Sequence, residues 1–246
     1  MIRAIIFALL LIPIASFAAR APKIPVYIYH LKPPLVINAN DQSGLYYDII
    51  KYLNQKITDY QFEIVYVPRK RINLMLERKQ LKGMVLGVNP LWFKDKDENK
   101  HLWTARILTD RDEIVSLRET SIEYIDLNSL NGKVVGGVRG FYYQGINELV
   151  SKGSVTRVDS ASELDLFDLL LAKRIDLAVI SRSTFNYMIG RQKWHMYFHL
   201  SKKPHDIFDR RIMVPKTSRE IFDVVAPVID EMAYDQEWRK IEAQYQ

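Results

Sequence analysis

The segment LNGKVVGGVRG at residues 130–140 reads as a turn, a short apolar strand and a glycine that frees the backbone before a helix. Downstream, LLLAKRIDLAVI at residues 169–180 reads as the end of a helix, a polar turn and a second apolar strand. The two pieces fit together as halves of one βαβ unit, whose strands lie parallel in a sheet.

Working outward, the same alternation recurs on the N-terminal side. Pro25 to Tyr29 alternates as a strand, and Leu45, Ile49, Ile50, Leu53 and Ile57 carry a helical period. A strand at 61–67, a helix near 72–77 and a buried strand at 83–88 complete a β-α-β-α-β series. An extended piece at 107–117 leads to the turn-rich 126–132, after which the pattern restarts. The expected elements there are a strand at 134–138, a helix at 143–150, a strand at 155–158, a helix at 162–171 and a strand at 175–180. A return strand at 207–214 and helices at 219–233 and 236–245 close the chain. Two α/β units with one extended crossover out and another back make a two-lobed, hinged α/β body. Lobe one is expected to take residues 22–111 and 205–246, and lobe two residues 112–204.

The N-terminus carries an export signal. Met1 to Arg3 is a short positive start, Ala4 to Ile14 is apolar, and Ser16-Phe17-Ala18 offers small residues for cleavage after Ala18, with Ala21 as the alternative. A membrane anchor needs about 18 or more apolar residues, and this run is shorter. The expected location is the periplasm, after cleavage of residues 1–18. Cysteine is absent, so neither a disulfide nor a lipid-bearing cysteine is available, and stability rests on the core. The net charge of +6 raises the question of nucleic acid, but the basic runs are interleaved with Glu77, Asp95, Asp97 and Glu98. They read as a solvated face, and no nucleic-acid partner is expected.

Lys32-Pro33-Pro34-Leu35 after the first strand, Gly44-Leu-Tyr-Tyr-Asp48 opening the first helix, the segment 132–140 and Arg174-Ile-Asp-Leu-Ala-Val179 together resemble the family 3 extracellular solute-binding proteins. These are periplasmic binding proteins of type II topology, many serving amino-acid ABC transporters. The likeness spans essentially the whole mature chain. It implies two mostly parallel sheets flanked by helices and joined by two crossover strands, closing on a solute. It implies as partners a small-molecule ligand and an ABC permease, or a membrane sensor receptor in their place, and a monomer. Two departures stand out. Amino-acid binders of the family have a Thr and an Arg for the ligand carboxylate where this chain reads Gly87-Val-Asn-Pro-Leu-Trp-Phe93, and an Asp for the ammonium where it reads Ser181-Arg182.

In open α/β sheets ligands sit beyond the carboxyl ends of the strands. That rule nominates Tyr29, His30 and Lys32 after the first strand, Arg71 near the second, and Asn89, Trp92 and Phe93 after the third. From the second lobe it nominates Arg139, Gly140, Phe141, Tyr142 and Tyr143, with Ser181 and Arg182. Gly140 is expected to open a helix whose free N–H groups face the cleft. Cations and aromatics dominate these positions and acids are nearly missing, so an anionic ligand with an apolar or ring portion is expected. Asp48 is expected to support the first helix.

Other chemistries find little support. His195 and His199 are read as lying in one strand, where that spacing places the rings about 13 Å apart, so no metal site is expected. No nucleotide-binding glycine motif or Gly-x-Ser-x-Gly occurs, and no cofactor is called for. Some relatives of this fold are dehydratases acting on cyclohexadienyl carboxylates. The acids nearest the crossover, Asp110, Asp112 and Glu113, would have to serve such a reaction, and none stands in a marked context. The expected role is therefore binding.

Overall fold

A computed structural model describes residues 21–192 and 194–245; the expected signal peptide lies outside them. The first lobe begins with β1 (Lys23–Ile28), α1 (Leu45–Lys56), β2 (Gln61–Tyr66), α2 (Arg69–Glu77) and β3 (Met84–Val88). β1 pairs in parallel with β2 from Lys23↔Gln61 to Ile28↔Tyr66, and with β3 at Val26↔Met84. α1 forms where the periodicity predicts, burying Leu45, Tyr46, Ile49, Ile50 and Leu53. β3 is buried at every position, as a parallel strand covered on both faces must be.

β4 (His101–Trp103) precedes β5 (Leu108–Leu117), the crossover out. The second lobe contains β6 (Val134–Val138), α3 (Ile146–Ser151), β7 (Thr156–Ser160), α4 (Glu163–Leu171), β8 (Leu177–Ser181), α5 (Arg182–Gln192) and β9 (Phe198–Leu200). Here too the pairing is parallel, Val134↔Thr156 to Val138↔Ser160 and Gly136↔Ala178. A capping box, with Ser162 and Asp165 each accepting from the other's backbone N–H, sets the start of α4. β10 (Asp206–Pro215) carries the chain back, followed by α6 (Arg219–Met232) and α7 (Gln236–Glu242).

The strand order β2-β1-β3-β10-β5-β8-β6-β7 shows how the lobes join. The first half of β10 pairs antiparallel with β5, Asp206↔Asp112 to Arg210↔Leu108; the second half pairs with β3, Ile212↔Leu86. A register shift between Arg211 and Ile212 falls within the pairing with β3. Each lobe has its own core, one around Tyr46, Ile49, Leu53, Ile212 and Ile229, the other around Leu166, Phe167, Leu170 and Ile180. This is the two-lobed α/β architecture expected from the sequence.

Three elements differ. The helix expected from Tyr143 begins only at Ile146, because Asn147 Oδ1 accepts from the Tyr143 N–H and Gly145 turns the chain at φ 79°. Residues 182–192, left unassigned by periodicity, form α5, whose buried face is short: Thr184, Phe185 and Met188. The expected strand through His195 and His199 is a 3-10 turn over Trp194–Met196 followed by the short β9. Asp48 sits in the first turn of α1, accepting from Lys51 Nζ at 3.0 Å and from the Tyr245 hydroxyl.

Candidate functional site

The carboxyl ends of β1, β3, β6 and β8 converge on a cleft crossed by β5 and β10. Its cavity is lined by Tyr29, His30, Lys32, Arg69, Trp92 and Phe208 from the first-lobe side, and by Asp112, Phe141, Tyr142, Tyr143, Glu163 and Ser181 from the second, with Arg210 on β10. The space open to water-sized molecules is about 30 Å³, room for about two waters. The lobes are therefore closed on each other.

A lysine holds them. Lys32, 4% exposed, reaches from the loop after β1 to Glu163 Oε1 at 2.5 Å and to the Ser181 hydroxyl. Glu163 Oε2 also accepts from the Ser181 N–H at 3.1 Å, and Thr184 Oγ1 donates to the Pro33 carbonyl at 2.8 Å. Ser181 stands where the resemblance implies an acid for a ligand ammonium, and the ammonium beside it is this chain's own.

Arg210, 1% exposed, is the second buried cation. Its Nε and Nη2 lie 3.2 and 3.1 Å from Asp110 Oδ2, and its Nη1 donates to the Gly87 carbonyl at 3.1 Å. Gly87 has φ 74°, and a Cβ there would lie 1.8 Å from Tyr46 Oη, so only glycine lets that carbonyl meet both Tyr46 and Arg210. Burial works to raise Asp110, but Arg210 and then Lys32 outweigh it and hold the carboxyl below its usual range. Ser183 adds a hydrogen bond at 2.8 Å.

Arg69, at the start of α2, differs from both. Its Nη1 donates to Tyr29 Oη at 2.8 Å, its Nε to Asn73 Oδ1 at 3.0 Å and its Nη2 to the Trp92 carbonyl, while its guanidinium lies 3.8 Å from the Phe93 ring centre. All these partners are neutral, and among the described residues no carboxylate forms an ion pair with it. Tyr29, His30, Trp92 and Phe141 form an aromatic wall beside it, with His30 5.4 Å from Phe141 and 5.8 Å from Trp92. Burial above all, then Arg210, Lys32 and Arg69, hold His30 well below its ordinary pKa, so it is neutral. Its Nδ1 is buried without a hydrogen-bond partner. Asp112 is the mirror case among the acids. Burial foremost, with Glu163 and Asp110 adding to it and Lys32 and Arg210 opposing, pushes its carboxyl up to about 7.

Of the residues nominated from sequence, Tyr29, His30, Lys32, Trp92, Phe141, Tyr142, Tyr143 and Ser181 meet at this cavity. Six lie off it. Arg71 is exposed on the far face of α2, two positions from Arg69. Asn89 is spent on its own turn, accepting from the Leu91 N–H and donating to the Asp209 carbonyl. Phe93 packs behind Arg69 and beside Trp103. Arg139 and Gly140 are exposed, and no helix follows them directly. Arg182 turns away to Glu113. Sequence reasoning missed Arg69, Asp112, Glu163, Phe208 and Arg210. The expectation that acids are nearly missing is thus corrected: they come from the crossover strand and from the first turn of α4, not from strand ends. The capping box before Glu163 and the charged residues spaced two apart on β5 were the available signals.

His199 lies 3.0 Å from Glu123, and His205 Nε2 is 2.9 Å from the Gln144 carbonyl.

No family model matches the chain, and no curated protein matches it by sequence. Solved structures do. The chain is similar to an ancestral arginine-binding protein bound to arginine, at 17% identity over 92% of this chain and 99% of that one, with a TM-score of 0.74. It is similar to the substrate-binding protein of an amino acid ABC transporter, at 18% identity, 91% and 98% coverage and a TM-score of 0.71. It is also similar to the GluR0 ligand-binding core from Nostoc punctiforme in complex with L-glutamate, at 10% identity, 90% and 98% coverage and a TM-score of 0.72. At these identities the likeness establishes the fold, that of two-lobed periplasmic binding proteins, across nearly the whole of each relative.

Proposed function

We propose that this chain is a family 3 extracellular solute-binding protein, exported to the periplasm, that captures a small carboxylate bearing an apolar or ring portion by hinge closure and passes it to an ABC permease. The fold supports the role, and the solved relatives, among them proteins bound to arginine and to glutamate and one that serves an amino acid transporter, support the ligand size. Lobe one comprises residues 22–111 and 205–246, lobe two residues 112–204, and the hinge lies near 111–115 and 204–208, where β5 and β10 pair.

The observation that carries the ligand class is Arg69. Lys32 and Arg210 already face Glu163 and Asp110, whereas Arg69 meets only neutral groups beside an aromatic wall. A guanidinium so placed holds a carboxylate through charge-assisted hydrogen bonds, and the rings supply area. Ligand enters when the lobes part and is enclosed when they close, the loaded form being the one a membrane partner reads.

Asp112 makes the class testable through pH. An anion is repelled by ionised Asp112 and accepted beside the neutral form, so its affinity rises as pH falls through about 7. An ammonium ligand that uses Asp112 shows the opposite slope. Titration calorimetry between pH 5.5 and 8.5, on hits from a thermal-shift screen of amino acids, mono- and dicarboxylates and aromatic acids, reads the sign. A ligand at 100 times its dissociation constant adds about 2.7 kcal/mol, a shift of roughly 5 to 10 °C at this size. Hits confined to cationic amines with affinity rising above pH 7 would overturn the carboxylate reading.

A further inference from the structure

A second cavity opens beside the crossover and shares no lining residue with the cleft. Its volume is about 300 Å³, against about 30 Å³ in the closed cleft, which reaches the lower end of ordinary small-molecule sites at roughly 300 Å³. Leu35, Leu45 and Leu108 form an apolar floor from the first lobe, while Arg182 and Asn186 on α5 close it from the second.

Two guanidinium groups meet at this cavity. Arg182 Nε donates to Glu113 Oε1 at 2.9 Å. Arg111 Nε lies 2.8 Å from the same oxygen, but its N–H does not point there, so that nitrogen is buried without a hydrogen bond. Two guanidinium groups thus share one carboxylate, which is itself fully buried. Their side chains are 35% and 34% exposed, and among the described residues no protein group accepts from their terminal nitrogens. Such planar forks are built to take a carboxylate. Glu242 on α7 also lines the cavity and opposes a second negative charge on the occupant.

We propose that this cavity is a second ligand site, for a small apolar monocarboxylate, with its headgroup on Arg111 and Arg182 and its hydrocarbon on Leu35, Leu45 and Leu108. The site couples to the cleft through Asp110, which accepts from Ser183 in this cavity and from Arg210 in the cleft. Because its walls come from both lobes, an occupant favours the hinge angle at which they fit it.

Octanoate is the probe, added to the full chain and followed by calorimetry and by methyl resonances of leucine. The expected result is filling that shifts the Leu35, Leu45 and Leu108 methyls whatever octanoate the cleft also takes, with octylammonium causing no such shift. Arg182→Gln raises the octanoate concentration needed for these shifts at least tenfold. Asn186→Trp, which fills the cavity without touching an ion pair, abolishes the shifts even if Arg182→Gln disturbs the fold around Glu113. In Arg69→Gln, whose cleft has lost its free guanidinium, octanoate shifts the same methyls at the same concentration, which separates this site from the cleft. Unchanged leucine shifts in Asn186→Trp, equal shifts with octylammonium, or loss of the shifts in Arg69→Gln would each overturn the proposal.

Discussion

Arg69 and Asp112 show how single side chains acquire character from what surrounds them. Arg69→Gln keeps the contacts to Tyr29 and Trp92 within reach but removes the charge, and a hydrogen bond to a charged group is worth about 1.5–3 kcal/mol. Carboxylate affinity is expected to fall roughly 10- to 100-fold at 1.4 kcal/mol per tenfold, with little change in thermal midpoint; titration calorimetry beside a melting curve checks both. Asp112 acts on stability with a definite sign. Its folded pKa, about 7, lies above the unfolded carboxylate value. Between those values the native state holds a proton that the unfolded chain has released, so stability falls as pH rises from about 4 to about 7. Asp112→Asn removes that slope and stabilises the protein above pH 7 by a few kcal/mol at most, at 1.36 kcal/mol per pKa unit. Urea denaturation of both proteins at pH 5 and pH 8 measures it, and equal differences at the two pH values would contradict the burial of Asp112.

At the scale of elements, the loop after β1 and the first turn of α4 are tied by the pair Lys32–Glu163. Both side chains are buried, at 4% and 3% exposure. Removing one partner of such a pair costs about 3–5 kcal/mol because the other charge is stranded, while replacing both is far milder. Lys32→Met is expected to destabilise by roughly that amount, and Lys32→Met with Glu163→Gln to recover most of the loss. A double-mutant cycle in urea reads the coupling, and additive losses would show that the two do not interact as placed. The elements themselves were largely legible beforehand. β6 spans 134–138 as read from VVGGV, and α1, β5 and β10 lie within a residue or two of their expected ends, because strongly periodic or continuously apolar runs have one good way to bury themselves. α5 was not legible. Its sequence, RSTFNYMIGRQ, has only a one-turn apolar stripe of Phe185, Met188 and Ile189 among polar residues, and its place is set by packing against β5 and β8.

For the whole molecule, the two lobes share β10. A closed body of about 225 residues has a radius of gyration near 17 Å, and the small cleft volume predicts that value for the ligand-free protein in solution. Substituting Met for Lys32 together with Gln for Glu163 removes the bridge across the cleft, so its ligand-free form should be larger by X-ray scattering and return to the wild-type value with ligand bound. No increase would mean that the crossover strands alone hold the lobes together.

The order of strands and helices and the two-lobed plan were determined by the sequence itself, since they follow from periodicity and turn residues, both local properties. Part of the cleft was equally legible, because strand ends point into it. The charge of the cleft was decided only by tertiary structure. Arg210 faces Asp110 across 100 residues and Lys32 faces Glu163 across 131. Arg69, two positions from the nominated Arg71, points inward because α2 turns by about 100° per residue. Whether a charged residue is solvated, paired or left to meet a ligand depends on partners distant in sequence, and a list of positions does not contain them.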